Sequence, residues 1–259
     1  MTSQSQPSHP PEVLDALQNP VVAQLLQSVQ AHGPVDFVRS EGPLWGSTTR
    51  GGSTTVEYAS TANPSEALAH ELLHAELKAR GYRQYTFAVA KRPAPDRGIL
   101  LQLLPMLDNE LQHQRMADLY TALGLKNEFF YADGDSSSFL KVRRAVERMN
   151  PKNHSAREFL SQYVTALAPL GVGTEAQRGQ LKTFIKVRAG GAIAAKLSRV
   201  EAIFDEWRAA QSLDVAPFLK RIFETLDLGF SYWVGHGQQF PADGFFVGDS
   251  FAAEDAEGS

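Results

Sequence analysis

Residues His70-Glu71-Leu72-Leu73-His74 set two imidazoles four positions apart with a carboxylate next to the first. On a helix, residues four apart lie on one face, about one turn from each other. Two imidazoles so placed can bind one Zn²⁺. The glutamate beside them can take a proton from a water bound to the metal. The chemistry that this HExxH pattern serves is hydrolysis, and the surrounding elements have to supply its geometry.

Upstream, Ser53-Thr54-Thr55-Val56-Glu57-Tyr58-Ala59-Ser60 is rich in β-branched and aromatic residues and ends in turn formers. It reads as a strand over 53–60. Asn63-Pro64-Ser65-Glu66 then opens a helix. Asn63 suits the N-cap, Pro64 the first helical position, and Glu66 completes a capping box. The helix is predicted to run to Arg80, with Gly81 as the residue just past its end. His70, His74, Leu73 and Leu77 share one face, and Leu68, Leu72, Ala75 and Ala79 form a second apolar face. A helix apolar on both sides is buried, and two histidines on a buried helix require a reason.

With strand, cap and burial pattern in place, residues 50–120 resemble the zincin metallopeptidases. In that family a substrate-aligning strand precedes the HExxH helix, and a third ligand comes from later in the chain. The resemblance implies that His70 and His74 are zinc ligands, that Glu71 is general base and acid, and that one Zn²⁺ is held per chain. The extended metzincin pattern is absent, because His74 is followed by Ala75-Glu76-Leu77-Lys78-Ala79. The next histidine is His113.

A second long helix is predicted over 97–123, and it carries Asp108-Asn109-Glu110-Leu111-Gln112-His113. The stripe Met116, Leu119, Tyr120 and Leu123 marks its inward face. Projected back at about 100° per residue, that face contains Asn109, Gln112 and His113, while Glu110 falls roughly 120° from Met116. His113 is the better-placed third ligand by helix geometry. Glu110 is the better one by analogy with zincins that use a later glutamate, and Asn109 is a candidate to support the ligands. A competing arrangement uses Glu71-x-x-His74 and Glu110-x-x-His113 as the paired ExxH motifs of a ferritin-like di-iron carboxylate oxidase. The preceding strand, the extended Tyr85-Thr86-Phe87-Ala88-Val89 and the loop Lys91–Asp96 between the two motifs all oppose a bundle. A third possibility is a non-catalytic zincin-like regulatory or binding module.

The 259 residues allow one large domain or two smaller ones. A net charge of −4 offers no overall basic footprint for nucleic acid. No apolar run is long enough to span a bilayer. The absence of cysteine excludes disulfides and thiolate-bound zinc. No basic region followed by an apolar core opens the chain, so cytoplasmic location is expected, with non-classical secretion left open. Expected partners are a peptide or protein substrate, with no nucleic acid and no membrane.

The predicted fold class is α+β and predominantly helical. A zincin-like core, made of a small N-terminal sheet and the active-site helices, is followed by a helical C-terminal region. The expected divisions are a tail at 1–11, a metal-binding core at 12–130, a helical region at 131–248 and an acidic tail at 249–259. Within these, a helix spans Pro11 to Gln30 and a strand Val35 to Val38. A Gly-rich turn leads into strand 53–60, whose free edge would receive an extended peptide. Further helices are expected at 136–149, 155–168, 175–188, 192–211 and 214–227. Asp133–Ser137 reads as a turn rather than a calcium loop. Lys141, Arg143, Arg144, Arg148 and Lys152 read as a solvated face. The cluster Phe230–Gly237 reads as a segment packed on the core, with Tyr232 or His236 as alternative donors to an oxyanion.

Overall fold

A computed structural model describes residues 9–50, 52–82, 85–90, 97–131, 139–170, 173–226 and 232–236, with the backbone alone described at 85–90, 97–102, 216 and 232–236. The fold is α+β and predominantly helical, and the described residues include one small three-stranded sheet and one two-stranded ribbon. The predicted turn at 133–137 and the loop at 91–96 lie outside the described residues, as do the side chains of Tyr232 and His236.

By contact the chain divides into two units, residues 1–79 with 119–135, and residues 80–118 with 136–259. The first unit begins with a departure from the sequence reading. The helix expected over 11–30 is two helices, α1 (Pro11–Ala16) and α2 (Pro20–Gln30). Asn19 is extended and its side chain accepts from the Val21 amide, while Pro20 takes the first helical position. A capping asparagine followed by proline restarts a helix rather than continuing one. Strands β1 (Val35–Arg39), β2 (Gly46–Arg50) and β3 (Ser53–Tyr58) form the sheet in the order β1-β3-β2. β3 pairs in parallel with β1 and antiparallel with β2. Gly52, at φ 80°, helps turn β2 into β3.

This topology corrects one expectation. β3 is the central strand and has no free edge to offer a peptide, because the residues 42–52 read as a turn contain a strand of their own. Gly, Ser and Thr give β2 little apolar alternation, so its pattern is weak.

Helix α3 (Pro64–Ala79) carries the HExxH motif, and every residue from Ala67 to Leu77 is buried. It packs on α1 and α2, whose buried residues are Val13, Ala16, Val22, Leu25, Leu26 and Val29. Ser65 Oγ donates to the Ala16 carbonyl at 3.1 Å, and Ser28 Oγ donates to Glu76 Oε2 at 3.2 Å. Gly81 follows the helix at φ 101°, the left-handed conformation expected of a residue just past a helix end.

In the second unit β4 (Tyr85–Ala90) pairs antiparallel with β5 (Tyr232–His236). Helix α4 (Arg97–Ala122) is one continuous helix despite Pro105. Its last turn, from Leu119, groups with the first unit. Helices α5 (Phe139–Glu147), α6 (Ala156–Leu167), α7 (Glu175–Ala189), α8 (Gly191–Ala209) and α9 (Ala216–Thr225) pack as neighbours in a helical layer. Their apolar faces bury Phe159, Tyr163, Ile185, Phe204, Trp207 and Phe223. Capping boxes start α6, with Ser155 and Glu158, and α7, with Thr174 and Gln177. Among the described residues no helix is long and apolar enough to cross a membrane.

Candidate metal centre

The i,i+4 spacing on α3 brings the Nε2 atoms of His70 and His74 to 3.2 Å from each other, with ring centroids 4.9 Å apart. Two imidazoles bound to one tetrahedral zinc at ordinary Zn–N lengths stand about 3.3 Å apart at their nitrogens. The pair therefore has the separation that one shared ion requires.

Aromatic rings close one side of this pair. Phe130 meets the His70 ring edge-on at 4.8 Å, and the Tyr131 ring lies 5.9 Å away. Tyr120, near the end of α4, packs edge-on against Phe130 at 5.0 Å. Seven residues before Tyr120 on the same helix is His113, which a turn angle of about 100° per residue puts on the same face. Candidate ligand atoms of His70, His74 and His113 all lie within 4.8 Å of one another, and all three residues are buried. This cluster can hold a metal ion. Among the described residues it is the one such group of histidines and carboxylates.

Glu110 is buried but stands behind His113. Its Oε2 lies 3.2 Å from His113 Nδ1. A carboxylate oxygen only accepts, so Nδ1 carries the hydrogen and the Nε2 lone pair faces away from Glu110. Thus the two candidates for third ligand occupy different positions. His113 joins His70 and His74, and Glu110 holds the far nitrogen of His113. Asn109 is only half-buried.

Glu71 is 3 % exposed, and its backbone carbonyl accepts from Ser47 Oγ of β2 at 3.2 Å. The strand seated on the HExxH turn is thus β2, and the sequence reading missed it. Other groups with no motif to announce them cluster on α4. Asp108, 1 % exposed, accepts from Tyr82 Oη at 2.8 Å and from Gln112 Nε2 at 3.0 Å. Gln114, also buried, donates to Glu110 Oε1 at 3.0 Å and to the Leu167 carbonyl at 2.8 Å. The only sequence signal for these was carboxylate–amide pairs four apart, at 108/112 and 110/114, on a helix.

No protein-family model, curated protein or solved structure matches this chain.

Proposed function

We propose that the chain is a zinc-dependent metallopeptidase. The observation that carries this reading is the convergence of three buried imidazoles from two helices, with Glu71 of the same HExxH turn buried beside them. The donor set consists of neutral nitrogen ligands and no thiolates, which suits Zn²⁺ in a hydrolytic centre with three protein ligands. His70, His74 and His113 would hold the ion.

When bound, zinc supplies a Lewis acid that polarises a carbonyl and lowers the pKa of a bound water to near 7. The chain's own residues do the remaining work. Glu71 takes a proton from the attacking water and returns it to the leaving amine. Phe130 and Tyr131 shield His70 from bulk water, which strengthens electrostatic interactions within the site. β2 is the outer strand of the sheet on the side of α3 and touches the Glu71 turn through Ser47. An extended peptide added to that edge would run past the metal ligands, with main-chain pairing giving affinity.

A cluster made of three imidazoles, with Glu110 turned to the far side of His113, favours a single metal over a di-iron centre. Carboxylate-bridged di-iron sites draw a glutamate from each of two further helices.

The test is metal analysis and peptidase assay of protein purified without added metal. About one zinc per chain is expected in the wild type and in Glu71→Gln, with little in His70→Ala or His113→Ala. Glu71→Gln should lower kcat on a cleaved peptide by about 10² to 10⁴-fold, the usual worth of a general base. Full activity in Glu71→Gln would refute the mechanism, and two irons per chain would replace it with oxidase chemistry. Bound zinc without cleavage of any peptide would leave a binding module.

A further inference from the structure

A continuous hydrogen-bonded path leads from His113 out to helix α8. His113 Nδ1 meets Glu110 Oε2 at 3.2 Å, and Glu110 Oε1 accepts from Gln114 Nε2 at 3.0 Å. The second proton on Gln114 Nε2 goes to the Leu167 carbonyl at the end of α6, at 2.8 Å. The Gln114 Oε1 accepts from Arg208 of α8 through Nε, at 2.9 Å, and through Nη2. Both amide protons and the amide oxygen of Gln114 are therefore engaged. A flip of that amide would turn its NH₂ toward the guanidinium and its oxygen toward a carboxylate and a carbonyl, four like-with-like contacts at once. The orientation is unique, and so is the position of the Glu110 carboxylate that Gln114 holds.

The same turn of α4 is clipped to the end of α8 and the residues just after it through Trp207 and Arg115. Trp207 Nε1 donates to the Leu111 carbonyl at 2.7 Å. Arg115 lies over the Trp207 ring, 4.4 Å from its centroid, and donates to the carbonyls of Arg208, Ala210 and Ser212. The Arg208 and Ala210 carbonyls are among those that a helix end leaves without intrahelical donors, and Ser212 lies just beyond it. Residues 110–115 are thus held by directed polar contacts with five residues of α6, α8 and the segment just after α8, where simple packing would need none.

We propose that Glu110, Gln114 and Arg208 are positioning residues for the metal, and that the end of α8 is the frame that aims His113. The inference rests on His113 being a zinc ligand, as argued above. Glu110 fixes the tautomer and the ring plane of His113, and it raises the basicity of Nε2. Gln114 and Arg208 keep that carboxylate from rotating away, so a side chain at the surface end of the path acts on a ligand at its buried end.

The experiment measures Zn²⁺ affinity by competition with a chromophoric chelator at fixed pH, beside the thermal midpoint of the metal-free protein. Glu110→Ala should weaken zinc by about 10 to 100-fold, the usual effect of removing such a partner. Glu110→Gln keeps one acceptor and loses the other, so its loss should be intermediate. Gln114→Leu and Arg208→Met should weaken zinc in the same direction by less than Glu110→Ala. His113→Ala should lose more than any of them. Lower midpoints with unchanged zinc affinity in all four variants would reduce the path to a structural role and overturn the proposal. Glu110→Gln losing as much zinc as His113→Ala would overturn it by making Glu110 a ligand. A wild type that binds no zinc would remove it together with the metal centre, whereas zinc binding without peptidase activity would leave it standing. Should Glu110→Ala fail to fold, Glu110→Gln and Arg208→Met carry the test.

Discussion

Among the described residues ten polar or charged side chains are buried, and nine of them fall within two short stretches, 70–76 and 108–114. Burying such groups is costly unless they are paired, and functional sites are places where such buried polar clusters gather. The concentration on α3 and α4 is therefore an argument for chemistry that does not depend on the HExxH letters. A contrasting case lies at Glu201. Burial pushes its carboxyl up, but hydrogen bonds from Lys182, Lys186 and Tyr163 outweigh that and hold it at about 2. Burial, followed by the hydrogen bond to Glu201, pushes the Tyr163 hydroxyl up in turn. Because the folded value of Glu201 lies below its ordinary 4.5, its contribution to stability is fully present above that value and is lost as pH falls toward 2. Urea unfolding of the wild type and Glu201→Gln across that window should show a stability gap that narrows with falling pH. A gap independent of pH would show that the carboxylate is not selectively stabilised by folding.

Elements set the accuracy of the site. α3 is stapled on both sides, by α1 and α2 through apolar contacts and by β2 through Ser47. Helix α6, which supplies the Leu167 carbonyl to Gln114, starts in a capping box. The Ser155 side chain accepts from the Glu158 amide, and Glu158 Oε2 accepts from the Ser155 amide at 2.7 Å. Ser155→Ala should cost about 1 kcal/mol in denaturant unfolding, the usual value of such a cap, without altering metal content. Loss of zinc in that variant would mean that the start of α6, and not only its end, controls the ligand turn. The strands carry a related lesson. β-Branched and aromatic content ending in turn formers marks β3, and Val35–Val38 reads as a strand too, but β2 is made of Gly, Ser, Thr and Arg and reads as part of a turn. Only its pairing with β3 reveals it, and that pairing makes β2, not β3, an outer strand of the sheet.

For the whole molecule, a metal that binds only the folded chain adds stability by mass action, about 2.7 kcal/mol when free metal exceeds the Kd a hundredfold. Chelation with EDTA should therefore lower the thermal midpoint of the wild type and leave that of a His70→Ala, His74→Ala double variant unmoved. Equal shifts in both proteins would place the effect elsewhere than the three histidines. Much of this molecule was legible in its sequence because the signals are local. Proline and asparagine start helices, Gly81 ends one, the 3.6-residue period marks α3 and α4, and spacing of four sets His70 beside His74. The sequence left His113 and Glu110 as alternatives, because each lies on an inward or flanking face of the same helix and either could ligate zinc. Tertiary structure separates them by distance, putting His113 within reach of His70 and His74 and Glu110 behind its far nitrogen. It alone also joins Gln114 to Arg208, 94 positions away. Helical periodicity is written into neighbouring residues, but a hydrogen bond between distant helices exists only once packing has brought their faces together.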